Sequence, residues 1–95
     1  MEELQARYDS RKSFYGKAKV ECQKTDFEHT SDLYSYGTLV ASIVMQFEKK
    51  RTIYKCFGRY SQTTTRHQKE FFRQSGLSDK EIKELFENEE LIKEW

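Results

Sequence analysis

The chain of 95 residues contains no proline and only four glycines, so it lacks the residues that most often mark turns. The boundaries of strands must therefore be read from Asp, Ser and clusters of charge. Two cysteines allow at most one disulfide, which excludes the multi-disulfide framework of small secreted domains. We expect both thiols to be reduced.

Long apolar runs are also missing from the sequence. No stretch approaches the roughly 18 to 20 apolar residues that cross a bilayer, and the charged start of the chain has no apolar signal-peptide segment. We therefore expect a cytoplasmic protein that does not enter a membrane. A chain of this length forms one domain, residues 1–95, and buries only about 60 to 65% of its unfolded surface.

The charges are distributed unevenly along the chain. Residues 1–75 carry 14 Lys and Arg against 9 Asp and Glu, whereas residues 76–95 carry 3 against 7. The formal net charge is only +1 and the sequence pI is about 7.7, while free-standing DNA-binding domains usually have a pI above about 9. Charge alone therefore does not indicate general affinity for nucleic acid.

Hydrophobic periodicity divides the chain into a polar lead-in, a sheet, a covering helix and an acidic helix, at residues 1–12, 13–59, 60–76 and 78–95. The lead-in is either a frayed helical turn or an extended segment. Alternating residues predict strands at 13–23 and 52–57. Residues 33–47 are too many for one ordinary strand, so a tight turn or bulge at Gly37 is predicted to divide them into strands at 32–36 and 38–47. We predict an α+β fold: a small antiparallel sheet of three or four strands, covered on one face by a helix, with a further C-terminal acidic helix.

The covering helix is predicted to run from residue 63 to 75, with Thr63 or Thr64 as its N-cap and Gly76 just beyond its end. Of its two phenylalanines, Phe71 is expected to lie deeper than Phe72. The stripe that faces the sheet is predicted to contain Thr64, His67, Gln68, Phe71, Phe72 and Ser75.

A second helix start is marked by the spacing of Ser78 and Glu81, which is that of a capping box. Leu77 and Ile82 have the spacing of a hydrophobic staple around the same cap. The helix is predicted to continue to the end of the chain, although residues 88–90 are polar enough to break it into two pieces.

Candidate catalytic and metal-binding residues are few. The two cysteines and two histidines lack the paired short spacings of a zinc site, so we predict no metal and no cofactor. His67 follows three threonines, which suggests a base beside a nucleophile, but no carboxylate is placed in a pattern that would orient it. We predict that the protein is not an enzyme, and a small hydrolase around His67 remains an alternative.

Two charged surfaces are the candidate binding sites, although each is also consistent with an ordinary solvated face. One is a basic and aromatic strand face that could follow a phosphate backbone, comprising Tyr15, Lys17, Lys19, Lys49, Lys50, Arg51, Lys55 and Arg59. The other is an acidic helix that could enter a basic groove of another protein, comprising Asp79, Glu81, Glu84, Glu87 and Glu90.

Three stretches resemble a family of unknown function found in small proteins of bacteriophages and integrated mobile elements of Gram-positive bacteria. They are residues 7–18 (RYDSRKSFYGKA), 33–41 (LYSYGTLVA) and 60–71 (YSQTTTRHQKEF), in that order along the chain. The resemblance covers residues 7–76 and implies a mobile-element setting without an established activity.

Together these observations predict a non-enzymatic phage or mobile-element accessory protein that binds a host macromolecule. The leading hypothesis is a host protein that handles nucleic acid, such as a defence nuclease, which the accessory protein would inhibit. The choice of a protein partner rests on the near-neutral charge and the acidic C-terminal segment. The alternative is direct binding of DNA or RNA through the basic strand face.

Overall fold

The computed structural model describes residues 2–5, 7, 16–58 and 61–95. These residues form a six-stranded antiparallel sheet in which the strands are adjacent in chain order. The strands are β1 (Glu2–Glu3), β2 (Ala18–Lys24), β3 (Glu28–Ser35), β4 (Thr38–Gln46), β5 (Arg51–Cys56) and β6 (Glu90–Glu94). Two helices, α1 (Gln62–Gln74) and α2 (Asp79–Asn88), pack on one face of the sheet.

The prediction of an α+β fold is confirmed, but the predicted sheet of three or four strands is wrong. The two additional strands are the outermost ones, β1 and β6. β1 comes from the polar lead-in and pairs two residues with β2, and β6 comes from the second half of the predicted acidic helix. Each of these strands forms by pairing with an edge strand that is distant in the sequence and has unpaired backbone N–H and C=O groups. A local hydrophobic period does not reveal such an edge.

Strands β4 and β5 lie close to their predicted positions. The residues of β5 alternate between buried and half-buried, whereas β4 contains a continuous run of buried residues from Val40 to Ile43. β3 starts at Glu28, although residues 24–31 were predicted to form a polar loop. Its first residues are polar because they are exposed or only half-buried. The predicted first strand is described only from residue 16 onward. The alternation holds there as far as Val20, with Ala18 fully buried and Lys19 exposed, but Cys22, which alternation would place on the core side, is exposed.

The predicted turn at Gly37 is confirmed. Tyr36 and Gly37 form a two-residue hairpin loop with positive φ angles of 52° and 82°. Positive φ at both positions is the geometry of a type I′ turn, which matches the twist of antiparallel strands. Glycine adopts this conformation without steric cost, whereas Tyr36 is a residue type that rarely does so.

Helix α1 begins one residue earlier than predicted, and its N-cap is Ser61 instead of a threonine. The Ser61 hydroxyl accepts a hydrogen bond from the Thr64 backbone N–H at 3.3 Å. The helix ends as predicted before Gly76, which has φ 96°. The N–H groups of Gly76 and Leu77 donate to the carbonyl oxygens of Arg73 and Phe72, and this pair of bonds is a Schellman motif.

Helix α2 has the predicted capping box. The Glu81 N–H donates to the Ser78 hydroxyl at 3.2 Å, and the Ser78 N–H donates to the Glu81 carboxylate at 3.0 Å. Leu77 and Ile82 flank the cap and are both buried. The predicted continuation to residue 95 is wrong, because Glu89 adopts a left-handed conformation with φ 65° and the chain turns back along β5.

The Ser78→Ala variant is expected to lose about 0.5 to 2 kcal/mol of unfolding free energy, because the Glu81 N–H loses its acceptor. Urea denaturation measures this change. Lys80→Ala is the matched control, since Lys80 is exposed in the same helical turn. A Ser78→Ala midpoint equal to that of the control would contradict the capping role.

The capping box also gives the stability a dependence on pH. A hydrogen bond from Lys93, followed by that from the Ser78 backbone, lowers the pKa of Glu81 below its ordinary value of 4.5. The ionised carboxylate therefore stabilises the fold above about pH 4.5, and this contribution is lost as the pH falls through the lowered pKa. Since Glu81 is partly solvent-exposed, we expect the effect to be small and weaker in high salt.

The core lies between the helices and the sheet. Its most deeply buried large apolar side chains are Leu33, Phe72 and Leu85. Phe72 is 0% exposed and Phe71 is 6% exposed, so the expectation that Phe71 lies deeper is wrong. α2 supplies the reason, because its Phe86 ring meets that of Phe72 edge-on at 6.5 Å. Neither described helix is long and apolar enough to cross a membrane.

Candidate functional site

The second and third motif stretches meet at the end of the sheet that carries the Gly37 turn. The stretch 33–41 forms the end of β3, the turn and the start of β4, while the described part of the stretch 60–71 forms most of α1. Ser35, on β3, lies directly beneath Thr64 and His67 of the helix. Residues that are far apart in the sequence therefore form one cluster.

A buried hydrogen-bond cluster fixes α1 to the β3–β4 hairpin. The Ser35 hydroxyl lies 2.8 Å from Nδ1 of His67 and 3.0 Å from the Thr64 hydroxyl. The Gln68 side-chain amide donates to the Val40 carbonyl at 2.9 Å. Because buried polar groups are costly when unpaired, these bonds define the position of the helix on the sheet.

The contact between Ser35 and His67 resembles a nucleophile beside a base, but both groups are buried. Ser35 is 3% exposed and His67 is 1% exposed. A substrate would need α1 to move before it could reach the hydroxyl. The arrangement therefore supports a structural role for His67 better than the alternative of a small hydrolase.

The Ser35→Ala variant is expected to lose about 1 to 3 kcal/mol of unfolding free energy, because His67 and Thr64 each lose a buried hydrogen-bond partner. Chemical denaturation measures the loss. Ser31→Ala is the matched control, since Ser31 lies on the same strand and face but is only half-buried. Equal losses in the two variants would contradict the role of the cluster.

Next to this cluster, β2 and β3 form a cleft of about 500 Å³. It is lined by Gly16, Lys17, Lys19, Tyr34, Tyr36 and Gly37, and we call it the Tyr–Lys cleft. Lys19 lies directly opposite Tyr34 across the strand pair, and the Tyr36 N–H donates to the Lys17 carbonyl at 2.8 Å. Two lysines and two tyrosines therefore line one cleft.

The exposed groups of the Tyr–Lys cleft can contact a ligand directly. Tyr36 is 57% exposed, and both lysines are exposed. The Tyr36 ring lies 5.9 Å from the ring of the buried His67, so one side of the ring is supported by the protein. The Glu3 carboxylate is also near, where it accepts a hydrogen bond from the Gly16 N–H at 2.9 Å and reduces the local positive charge.

The predicted basic face is not one surface. Of its six members that the structure describes, the Tyr–Lys cleft contains two, Lys17 and Lys19. Lys49 and Lys50 lie in the β4–β5 turn at the opposite end of the sheet. Arg51 and Lys55 lie on β5, opposite Glu94 and Glu90 of β6. Tyr15 and Arg59 lie outside the described residues.

Acidic side chains are in excess on the sheet face that points away from the helices. Strand alternation and register place Lys19, Arg51 and Lys55 there together with Glu21, Glu28, Asp32, Glu90 and Glu94. The Asp32 carboxylate accepts a hydrogen bond from Ser42 at 2.7 Å. A broad basic platform is therefore not supported.

The predicted acidic helix surface is also divided. Asp79 forms an ion pair with Arg73 at 2.9 Å, and Glu81 forms one with Lys93 at 2.8 Å. Glu90 lies on β6 and not on a helix. Glu84 and Glu87 remain exposed on α2, where two exposed lysines, Lys80 and Lys83, share the helix surface.

Sequence reasoning missed Tyr34, Tyr36 and Gly37 as residues of the candidate site. Alternation along β3 could have placed Tyr34 on the same face as Lys19, and the turn at Gly37 could have placed Tyr36 at the same end of the sheet. The proximity of Ser35 to His67 had no local signal, since the two residues are brought together only by packing.

The buried face of α1 also differs from the predicted stripe. Glu70 is buried although it was not predicted to face the sheet, whereas Ser75, which was predicted to face the sheet, is exposed.

A second cleft, of about 460 Å³, lies on the helix side of the sheet beside the N-terminal segment. Leu4, Val20, Ile43, Met45 and Phe71 are among its apolar lining residues. Tyr54 also lines it, and burial raises the pKa of the Tyr54 hydroxyl.

The four candidate ligands of a zinc site are not assembled among the described residues. Cys22 lies on β2 and Cys56 lies on β5, with two strands between them.

Comparison with known proteins gives a family and no function. No curated protein and no solved structure matches the chain. Residues 2–88 match a family of unknown function, DUF8033, and this match spans most of the chain, including both helices and the first five strands. The protein therefore belongs to the DUF8033 family.

Proposed function

We propose that this protein is a non-enzymatic accessory protein that binds single-stranded nucleic acid in the Tyr–Lys cleft. The observation that carries the proposal is that two lysines and two tyrosines line one cleft, with Lys19 of β2 opposite Tyr34 of β3 and with Lys17 and the turn residue Tyr36 beyond the ends of these strands. The setting, a phage or mobile element acting in the cytoplasm of a bacterial host, comes from the resemblance of the three motif stretches.

The residue types of the cleft suit a single strand better than a duplex. Lysines neutralise phosphates, whereas exposed aromatic rings stack on bases that a duplex keeps paired. Tyr36 offers such a ring at the end of the sheet, with His67 behind it. Stacking does not require a particular base, so we expect little sequence preference.

A salt titration tests the proposal. Binding of a fluorescent oligothymidylate of about 12 nucleotides is measured at several salt concentrations, since comparable single-strand sites span about 4 to 16 nucleotides. In the Lys17→Ala, Lys19→Ala double variant, the slope of log K against log salt should become shallower by up to about 1.4, because each single-strand phosphate contact contributes about 0.7.

The matched control for this titration is the Lys49→Ala, Lys50→Ala double variant. It removes the same charge at the opposite end of the sheet, so the slope should stay close to that of the unmodified protein. Equal effects of the two double variants would show that binding follows net charge and not the cleft. Absence of binding by the unmodified protein at low salt would overturn the proposal.

Removal of the Tyr36 ring should weaken oligothymidylate binding by about 1 to 3 kcal/mol, the usual contribution of one stacked base. Tyr36→Asn makes this change safely, because Asn-Gly is the preferred sequence of a type I′ turn. Tyr36→Phe keeps the ring and should bind almost as well as the unmodified protein. If Tyr36→Asn binds as tightly as Tyr36→Phe, Tyr36 does not stack on the ligand.

Binding of a basic protein partner remains a second candidate function. The observation in its favour is the exposure of Glu84 and Glu87 on α2. The proximity of Lys80 and Lys83 reduces the field that these carboxylates produce, which is why we favour the cleft. If the protein does bind a basic partner, Glu84→Lys with Glu87→Lys should slow association strongly at low salt.

A further inference from the structure

We propose that the outer edge of β6 accepts an extended basic segment of another protein as a seventh strand. This surface is distinct from the Tyr–Lys cleft, because β6 and β2 lie toward opposite edges of the sheet. Addition of a strand to an exposed edge is a common form of peptide recognition, in which backbone hydrogen bonds supply affinity and alternating side chains supply specificity.

The hydrogen bonds between β5 and β6 show which backbone groups face outward. The Trp95 N–H donates to the Lys50 carbonyl at 2.8 Å, and the Cys56 N–H donates to the Glu89 carbonyl at 3.0 Å. Because hydrogen-bonded residues alternate along an antiparallel strand, Leu91 and Lys93 also turn toward β5. The N–H and C=O groups of Glu90, Ile92 and Glu94 therefore point away from the sheet.

Three cross-strand pairs on the sheet face that points away from the helices determine which side chains of a partner strand would fit. The register pairs Lys55 with Glu90, Ile53 with Ile92 and Arg51 with Glu94. Ile92 is 45% exposed, and β6 is the last strand of the sheet that the described residues form. A partner with a cation, an apolar residue and a second cation at alternate positions would extend each pair with a favourable neighbour.

The same charges disfavour a second copy of this chain as the occupant. Antiparallel pairing of two β6 strands about Ile92 places Glu90 of each copy opposite Glu94 of the other. Like charges directly opposite each other destabilise a strand pair. Charged edge residues of this kind protect a sheet against self-association, while they leave it open to a complementary basic segment.

A labelled peptide of sequence Thr-Lys-Thr-Ile-Thr-Lys-Thr is the probe, and its binding is measured by fluorescence anisotropy. The peptide with Glu in place of both Lys residues should bind about tenfold more weakly or not at all. In the Glu90→Lys, Glu94→Lys variant this preference should reverse. Saturation with the basic peptide should not induce dimers in sedimentation experiments.

Ile92→Pro tests the backbone contribution. The Ile92 N–H is not used by β5, so proline at this edge position should leave the fold intact, as circular dichroism can verify, while it removes the outward donor. Binding of the basic peptide should fall about tenfold or more. The proposal is overturned if the unmodified protein does not bind the basic peptide at about millimolar concentration, or if the Glu-to-Lys variant retains the original preference.

Discussion

The Phe72→Ala variant is expected to lose about 3 to 5 kcal/mol of unfolding free energy, the usual cost of truncating a fully buried phenylalanine. Phe72 is 0% exposed and contacts the rings of both Phe71 and Phe86. Its removal would leave a cavity between α1 and α2 that the surrounding side chains can fill only partly. Urea denaturation monitored by circular dichroism gives the free energy directly.

Phe71→Ala is the matched comparison, since it makes the same chemical change at the next residue of α1. Phe71 lines the cleft of about 460 Å³ on the helix side of the sheet, so its truncation enlarges a space that is already open to water. We expect a clearly smaller loss than for Phe72→Ala. The reverse order would mean that α1 is rotated about its axis relative to this structure.

The Leu85→Ala variant is expected to lose about 2 to 5 kcal/mol, because Leu85 is 0% exposed and lies at the centre of the buried face of α2. α2 contacts both β5 and β6, so its loss of packing should also weaken the edge of the sheet. Amide hydrogen exchange of β6 is the second measurement, and we expect faster exchange in the variant.

Glu84→Ala is the control for the loss of unfolding free energy in Leu85→Ala. Glu84 precedes Leu85 on α2 and is exposed, so its removal should change the unfolding free energy by no more than about 0.5 kcal/mol. Comparable losses in the two variants would mean that α2 does not pack on the sheet through Leu85.

Local patterns predicted the elements whose signals are contained in a few neighbouring residues. β4 follows from an apolar run, β5 from alternation and α1 from helical spacing. The turn follows from Gly37, and the start of α2 follows from the spacing of Ser78 and Glu81. Each of these signals depends on backbone conformation or on hydrogen bonds within one or two turns. These elements can therefore be predicted from the residues that form them.

The elements that were missed depend on distant partners. β6 is rich in charge and is separated from α2 by the single residue Glu89, so its strand conformation is explained by the free edge of β5 and not by a local pattern. The depth of Phe72 depends on α2, whose packing direction cannot be read from the helical stripe of α1 alone. Local spacing does not contain this information.

The candidate site was likewise only partly predictable from local patterns. The lysines of the Tyr–Lys cleft were identified from strand alternation, whereas their proximity to Tyr36 depends on the register between β2 and β3. The other basic residues were grouped by charge alone, and the fold separates them. Charge counted along a sequence does not show which charges share a surface.

A nuclear magnetic resonance titration of the labelled protein with oligothymidylate tests the central claim most directly, because it locates the contact surface without a substitution. We predict the largest amide shifts at the cleft residues Gly16, Lys17, Lys19, Tyr36 and Gly37. Shifts concentrated on α2, around Glu84 and Glu87, would contradict the claim, as would a spectrum that does not change at saturating concentrations of the oligonucleotide.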